Sequence, residues 1–426
     1  MRVSQVGNPR KGGRMQRMRR VLVASVFASA GLLVETPAEA ATTVCGPSGS
    51  HTVCITLPAG ALSGEVTVGI SNAPNGGKMQ VTWVTSRGTV RLLTRFQPSA
   101  QTQDYSFVWP TQKYLDASGT LKAKVGNGAP VSVAATLSNG NATDFQHSVS
   151  DWQAFLPGLW IDANDPVIAA SGDGPDDGAA ANGVAASIVA ADPALFLFLG
   201  DVYEEGTFVE NRNMYGASSM DGGPGTLWGT LANKTQPTIG NHEHKHLADF
   251  TDYWHGRPMY TSFTFGGALF LDLNSSASLQ PGSPQYGFVQ QALQGAPDCV
   301  ISFFHIPVLS GGKIATNKQA IWALLADEGG DLVLNGHNHF LMEYEPLADD
   351  LTTPGHMVEL ISGAGGHDVG PAKSDVAGRI AWSLGRTPGA LYLTLVEAAA
   401  AGTASAVSWR FETTSGAVVR TGTVDC

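Results

Sequence analysis

The sequence predicts a layered α/β core preceded by a small all-β module. In the N-terminal part, short runs of alternating apolar and polar residues follow one another, with Asn-Gly turns between them. Further along, short apolar strands alternate with helical segments, a pattern typical of α/β layers. A length of 426 residues suits two or three domains and allows a large buried core.

The first 40 residues have the features of an export signal. Basic residues precede the apolar run 21–34, and Ala38-Glu39-Ala40 fits a cleavage site of small residues. The run is too short for a comfortable membrane span, so export is preferred over a retained signal anchor. The pair Arg19-Arg20 leaves a twin-arginine signal open. We therefore expect residues 1–40 to be a signal peptide, no transmembrane segment after its cleavage, and a periplasmic or extracellular protein.

The expected mature chain is strongly acidic. Cleavage after Ala40 removes seven basic and two acidic residues, which leaves 18 basic and 34 acidic groups and a net charge of −16. Such a surface repels polyanions, so we expect no binding to nucleic-acid polymers. Small phosphate esters are not excluded, because bound metal ions can invert the local field.

Four cysteines lie beyond the expected signal peptide, at positions 45, 54, 299 and 426. An even number in an exported chain indicates two disulfides. Three pairings are possible. We favour Cys45 with Cys54, which closes a short loop, and Cys299 with Cys426, which ties the last residue to the expected catalytic region.

Residues 41–150 are expected to form an immunoglobulin- or fibronectin-like β-sandwich. Alternating runs such as 65–70 and 79–84 are short and regularly spaced, and Asn127-Gly128 marks a turn. The segment contains no catalytic constellation. A packing or spacer module is the preferred interpretation, and binding of carbohydrate or of a surface stays open.

Residues 151–426 are expected to hold the α/β core, after a Ser/Asp/Gln-rich link near 144–153. Strands are predicted at 166–171, 194–200, 236–240, 269–273, 299–304 and 332–334, and helices at 178–191, 285–293 and 318–325. The last three predicted strands, 391–396, 406–412 and 417–424, have no helices between them and should extend a sheet.

Polar side chains follow five of these strands at the point where each strand ends. In chain order they are Gly172-Asp173, Gly200-Asp201, Gly240-Asn241-His242-Glu243, His305 and Gly336-His337-Asn338-His339. Each block alone has an ordinary explanation, such as a helix cap or a buried histidine. Together they indicate one site, because ligand-binding groups cluster at the carboxyl ends of strands. The preceding glycines are expected to let the backbone turn sharply. Carboxylates, an amide and imidazoles suit Zn, Mn or Fe.

This order of motifs resembles the calcineurin-like metallophosphoesterase superfamily, and within it the purple acid phosphatase branch with an N-terminal sandwich. The resemblance covers about residues 160 to 400. It implies a two-sheet α/β-β/α core and two metal ions about 3.5–4 Å apart. It also implies Asp201 as the bridging ligand, Asp173 and His339 as ligands of the first metal, and Asn241, His305 and His337 as ligands of the second.

The resemblance places His242 near the leaving-group oxygen as a proton donor, and imidazolium is chemically suited to that role. A hydrogen bond from His242 to the substrate phosphate is the milder alternative. Either Glu204 or Glu243 can orient the ring, and the sequence does not choose between them.

Two features depart from the family pattern. Asp173-Gly174-Pro175 has proline where many members have a histidine. The purple branch has a tyrosine three positions after the bridging aspartate, whereas Tyr203 is only two positions after Asp201. Tyr203 is therefore expected either to ligate a ferric ion through a shifted loop or to pack beside the site.

The segment from Glu205 to Leu231 is glycine-rich, with Trp228 near its end, and is either a substrate-shaping loop or a surface excursion. Three further histidines, at positions 244, 246 and 367, either extend the pocket or are solvated.

The function expected from these residues is hydrolysis of a small phosphate ester by a metal-bound hydroxide, with His242 as proton donor. A monoesterase is the first choice. A phosphodiesterase of small nucleotides and a non-catalytic metal-containing surface-binding protein are the alternatives. The natural substrate, the metal identities and the oligomeric state stay open.

Overall fold

The computed structural model of the chain describes residues 42–57, 65–71, 77–85, 88–97, 103–108, 118–136, 167–217, 224–311, 313–374, 378–397 and 403–426. The expected signal peptide and the link near 144–153 lie outside these ranges. Within them, no helix has the length and apolar character needed to cross a bilayer.

The N-terminal strands form two antiparallel sheets. They are β1 Thr42–Ser48, β2 His51–Leu57, β3 Glu65–Ser71, β4 Gly77–Thr85, β5 Gly88–Gln97, β6 Gln103–Val108, β7 Ser118–Val125 and β8 Val131–Thr136. One sheet has the order β1-β2-β3-β6 and the other β5-β4-β7-β8. Val53 and Ile55 of β2 and Val81 and Trp83 of β4 are buried in one cluster. The predicted small all-β sandwich is thus confirmed.

Both favoured disulfides are present. Cys45 and Cys54 lie opposite each other in the β1–β2 ladder and are bonded. Cys299 is bonded to Cys426, which closes 127 residues of chain.

The described residues from 167 onward form two larger sheets and a short hairpin. Their strands are β9 Val167–Ser171, β10 Leu195–Phe198, β11 Thr235–Pro237, β12 Thr261–Phe265, β13 Ala268–Asp272, β14 Val300–Phe303, β15 Leu309–Ser310, β16 Lys313–Ile314, β17 Leu332–Asn335, β18 Leu341–Tyr344, β19 Val358–Ser362, β20 Ile380–Leu384, β21 Gly389–Glu397, β22 Ala404–Thr413 and β23 Val418–Asp425. The helices are α1 Ala179–Ala191, α2 Phe208–Glu210, α3 Leu247–Tyr253, α4 Pro284–Leu293 and α5 Gln319–Asp327.

The six-stranded sheet has the order β11-β10-β9-β21-β22-β23, and the seven-stranded sheet has the order β12-β13-β14-β17-β19-β18-β20. Strands β9, β10 and β11 are parallel, as are β13, β14, β17 and β19. The last three strands join the six-stranded sheet without intervening helices, as predicted.

Apolar side chains between the two sheets form one core, which includes Leu197 of β10 and Ile301 of β14. Helix α1 packs on the outer face of the six-stranded sheet through Val184 and Ile188. Helices α4 and α5 pack on the outer face of the other sheet. The layers therefore run helix, sheet, sheet, helix, which confirms the predicted α/β-β/α arrangement.

Candidate metal centre

The predicted site residues converge at the carboxyl ends of β9, β10, β14 and β17 and in the turn that follows β11. Three of them, Asp173, Asp201 and His337, have left-handed backbones, with φ of 59°, 66° and 67°. Such conformations are uncommon for residues with a side chain and concentrate at functional sites. In the blocks that hold these three residues, the sharp turn is therefore made by the predicted ligand itself.

Three of the glycines in these blocks do not make the sharp turn predicted for them. Of the four that precede a site residue, only Gly200 has a positive φ, at 90°. A Cβ at Gly240 would lie 2.0 Å from Oδ1 of Asp201, and one at Gly336 would lie 2.7 Å from Oδ2 of Asp173. Gly240 and Gly336 are thus required for space, so that the backbone can approach the carboxylates closely.

One group of candidate metal-ligand atoms surrounds His305, which is fully buried. Its Nε2 lies 3.1 Å from Oδ2 of Asp201 and 3.1 Å from Oδ1 of Asn241. The imidazole of His337 packs edge-on at 5.1 Å between ring centroids. Ligand atoms of Asp201, His305 and His337 all lie within 4.8 Å of one another.

A second group of candidate metal-ligand atoms surrounds the hydroxyl of Tyr203. That oxygen lies 2.8 Å from Oδ1 of Asp173 and 2.9 Å from Nε2 of His339. It also lies 3.2 Å from Oδ2 of Asp201. The same carboxylate oxygen of Asp201 therefore contacts both groups.

Backbone carbonyls orient three of the imidazoles. Nδ1 of His305 lies 2.8 Å from the carbonyl of Leu199, and Nδ1 of His339 lies 3.3 Å from that of Asp368. Nδ1 of His242 contacts the carbonyl of Glu204. A nitrogen facing a carbonyl oxygen must carry the proton, so in each neutral ring Nε2 keeps its lone pair.

Of the two glutamates expected to orient the His242 ring, Glu204 does so through its carbonyl, and the carboxylate described beside the ring is that of Asp201, whose Oδ2 lies 3.7 Å from Nε2. Glu243, which is buried, accepts N–H bonds from Asp201 at 3.1 Å, Val202 at 2.5 Å and Gly240 at 2.9 Å. It therefore braces the two turns that carry Asp201 and Asn241.

The family model for calcineurin-like phosphoesterases matches residues 149–341, a range that includes both donor groups. The chain carries a calcineurin-like phosphoesterase domain. The protein is accordingly a metal-dependent phosphoesterase. No curated protein matches this phosphoesterase by sequence.

Solved structures resemble the phosphoesterase in fold. Purple acid phosphatase PPD1 from yellow lupin (Lupinus luteus) seeds aligns with 88% of this chain and 79% of its own, at 13% identity and a TM-score of 0.52. PhoD aligns with 90% of this chain and 92% of its own, at 12% identity and a TM-score of 0.41. GAP50 of Plasmodium aligns with 62% of this chain and 89% of its own, at 16% identity and a TM-score of 0.43. The lupin structure shows that the phosphoesterase has a purple acid phosphatase-like fold.

The charges of the phosphoesterase site fit a bound cation. Burial favours the neutral imidazole of His305, but the Asp201 carboxylate outweighs it and raises the pKa of His305 to about 9. Burial, and then the nearby His305, lower the pKa of His337 to about 4. Burial, and then Asp173 and Asp201, raise the pKa of Tyr203 well above its ordinary value. The two carboxylates thus demand positive charge, which a metal ion at the same donors would supply.

The segment from Glu205 to Leu231 is buried or partly buried over residues 205–217, whereas in its described end Leu227 and Thr230 are exposed. Phe208 and Tyr215 are buried, and so is Trp228, whose ring lies 6.0 Å from that of Phe196. A Cβ at Gly174 would lie 2.5 Å from the Trp228 ring, which places this tryptophan behind the Asp173 turn. Trp228 therefore supports the site from the core side.

Of the three further histidines, His367 lies at the site. Its ring stacks on that of Tyr203, with centroids 3.6 Å apart, whereas His244 and His246 are partly exposed on the short 3₁₀ helix Glu243–His246. The sequence offered one signal for His367, its place after the glycines at 363, 365 and 366.

Proposed function

We propose that this phosphoesterase is an exported phosphomonoesterase that holds two metal ions and uses His242 as its proton donor. The observation that carries the proposal is the double contact of Asp201. Its Oδ2 lies 3.1 Å from Nε2 of His305 and 3.2 Å from the hydroxyl of Tyr203. One carboxylate oxygen between two sets of donors is the arrangement that a bridging ligand requires.

The two donor groups divide the proposed ligands. One metal would be held by Asp173, Tyr203 and His339, and the other by Asn241, His305 and His337, with Asp201 shared. Oxygen and imidazole donors without thiolate suit Fe, Zn or Mn. The tyrosine favours a ferric ion on its side, because a phenolate is a hard anionic ligand.

Bound cations at this position would lower the pKa of water and balance the negative charge that develops on the phosphoryl oxygens. The protein holds the reacting groups in place. Nε2 of His242 lies 3.7 Å from Oδ2 of Asp201, on a side chain that is 22% exposed. In its protonated form this ring can donate its Nε2 proton to the departing alkoxide, while Nδ1 stays paired with the Glu204 carbonyl.

The substrate class follows from charge and from location. A mature chain with a net charge of −16 repels extended polyanions, which favours a small phosphate ester. The N-terminal signal pattern and two disulfides support export. The β-sandwich is proposed as a packing or spacer module.

The decisive experiment compares an aryl phosphate monoester with the matching diester, using full-length protein exported by its own leader and analysed for metal content. We expect two metals per chain and faster turnover of the monoester. Asp201→Asn should bind both metals more weakly and lower kcat/KM by at least about 10²–10³-fold, the loss typical of removing one group that stabilises transition-state charge. The exposed Asp349→Asn is the matched control. Diester preference would make the protein a phosphodiesterase, and metal-loaded protein that cleaves neither ester would make it a binding protein.

A further inference from the structure

His367 lies beside the proposed metal ligands without being one of them. It follows β19 and is 9% exposed. Its imidazole is nearly parallel to the Tyr203 ring, with an interplanar angle of 12° and centroids 3.6 Å apart. A contact this close covers one face of the phenol.

Both ring nitrogens of His367 contact carboxylates from different parts of the chain. Nδ1 lies 2.8 Å from Oδ2 of Asp176, and Nε2 lies 3.5 Å from Oε1 of Glu204. The Asp176 carboxylate is itself fixed, because its Oδ1 accepts the N–H of Gly178 at 2.6 Å, just before α1 begins. The imidazole is therefore held in its plane from both edges.

The backbone of His367 is tied to the same site. Its N–H donates to the carbonyl of Asp173 at 3.0 Å. The loop after β19 is thus joined to the turn after β9, which carries one proposed ligand, while the His367 ring rests on another, Tyr203. Packing alone would not require these three polar contacts, to Asp173, Asp176 and Glu204.

Tyr203 needs such support because it lies only two positions after Asp201 in the sequence. With one residue between them, the backbone can change the position of Tyr203 relative to Asp201 only slightly. The side-chain torsions of Tyr203 must therefore place its hydroxyl. A ring stacked on one face restricts the rotation of the phenol about χ2.

We propose that His367 is a positioning residue that holds the Tyr203 phenol at the angle at which its oxygen reaches Asp173, Asp201 and His339. This inference rests on the ligand role proposed for Tyr203. His367 does not touch the reacting atoms. Its imidazole plane supplies the stacking surface, and Asp176 and Glu204 keep that plane in register.

The first test needs no metal. Protein labelled with 3-fluorotyrosine is measured by ¹⁹F NMR after removal of metal with chelator, and Tyr203→Phe identifies the Tyr203 resonance. We expect His367→Ala to shift this resonance toward the position of exposed tyrosines and His367→Phe to keep most of the wild-type shift. His356→Ala, an exposed site, should change nothing. An unchanged Tyr203 signal in His367→Ala would overturn the proposal.

The second test loads ferric iron and records the visible tyrosinate-to-iron band. We expect His367→Ala to weaken or shift the band and to lower ferric affinity about 10–100-fold, the usual cost of losing a group that orients a ligand. His367→Phe should restore much of the affinity. A band and affinity that survive His367→Ala would overturn the inference about His367 alone. If the iron-loaded wild type shows no such band, or if Tyr203→Phe leaves the band in place, Tyr203 is not a ligand and the inference about His367 fails with it. The phosphatase proposal is tested separately, by ester hydrolysis.

Discussion

The Tyr203 hydroxyl lies 3.2 Å from Oδ2 of Asp201, although a single residue separates the two in the chain. The left-handed backbone of Asp201, with φ of 66°, turns the chain so that both side chains point to one place. The spacing that departs from the purple acid phosphatase pattern is therefore compatible with the same contact. A tyrosine two positions after Asp201 can therefore contact its carboxylate, as the proposed ligand role of Tyr203 requires.

Replacing His242 tests the proton-donor role. In His242→Gln we expect kcat on an alkyl phosphate to fall about 10²–10⁴-fold, the range typical of a lost general acid. The loss on 4-nitrophenyl phosphate should be much smaller, because nitrophenolate leaves without protonation. Metal content should stay at the wild-type level, as should that of the exposed control His356→Gln. Equal losses on the two esters would assign His242 to phosphate binding.

Replacing Glu243 tests the brace between the turns after β10 and β11. Both of its oxygens accept backbone N–H bonds, so the amide of Glu243→Gln must turn one NH₂ group toward an N–H donor. We expect a loss of about 1–3 kcal/mol in unfolding free energy and about 10–100-fold in metal affinity. Urea unfolding and metal titration measure the two effects, with exposed Glu345→Gln as the control. Wild-type metal affinity in Glu243→Gln would contradict the bracing role.

A buried ion pair connects the two large sheets. Arg257 is 1% exposed, contacts Asp272 of β13 and donates to Oε1 of Gln236 in β11 at 2.6 Å. Arg257→Met leaves the Asp272 carboxylate buried without its partner, so we expect a loss of about 3–5 kcal/mol in unfolding free energy.

The matched control for Arg257→Met is Arg420→Met. Arg420 pairs with Glu343 at 2.6 Å from a side chain that is 39% exposed, and its loss should cost less than about 1 kcal/mol. Thermal and urea unfolding of both variants distinguish the two sites. Similar losses of unfolding free energy in the two variants would show that burial does not determine how much the Arg257–Asp272 pair stabilises the protein.

Glu359 is expected to make stability depend on pH. It is buried in β19 and accepts the N–H groups of Val308 and Leu309 at 2.8 and 3.0 Å. Burial raises its pKa from 4.5 to about 8, against the opposing effects of these hydrogen bonds and of Lys318. Between these pH values the unfolded chain loses a proton that the folded protein keeps. The Glu359 contribution is therefore full below pH 4.5 and is lost as pH rises through about 8.

Glu359→Gln cannot titrate, so its unfolding free energy should fall less steeply over this window. The difference in slope from wild type should approach but not exceed about 1.4 kcal/mol per pH unit. Urea unfolding at several pH values measures it, with exposed Glu345→Gln as the control. Parallel curves for wild type and Glu359→Gln would refute the raised pKa.

The strands that lead into the site were predicted from the sequence, because apolar runs and the polar or glycine residues that end them are local features. The strands that end before Asp173, Asp201, His305 and His337 are apolar runs followed at once by polar residues, and the structure places them within two residues of the prediction. Strands β12, β18, β19 and β20 were not predicted, and in β19 Glu359 interrupts the apolar run. A glutamate inside a buried strand makes sense only once the Val308 and Leu309 amides that it binds are placed beside it.

The chain by itself determined which residue types stand at the strand ends, and hence the chemistry that the site can hold. The tertiary structure alone decided how those groups are aimed. The carbonyl of Leu199 that orients His305, the contact of Tyr203 with two carboxylates and the stacking of His367 have no local pattern, because backbone carbonyls are common to all residues and the contacting segments lie far apart in sequence. Side-chain direction at a metal centre is a long-range property, since it depends on which distant backbone groups packing brings into reach.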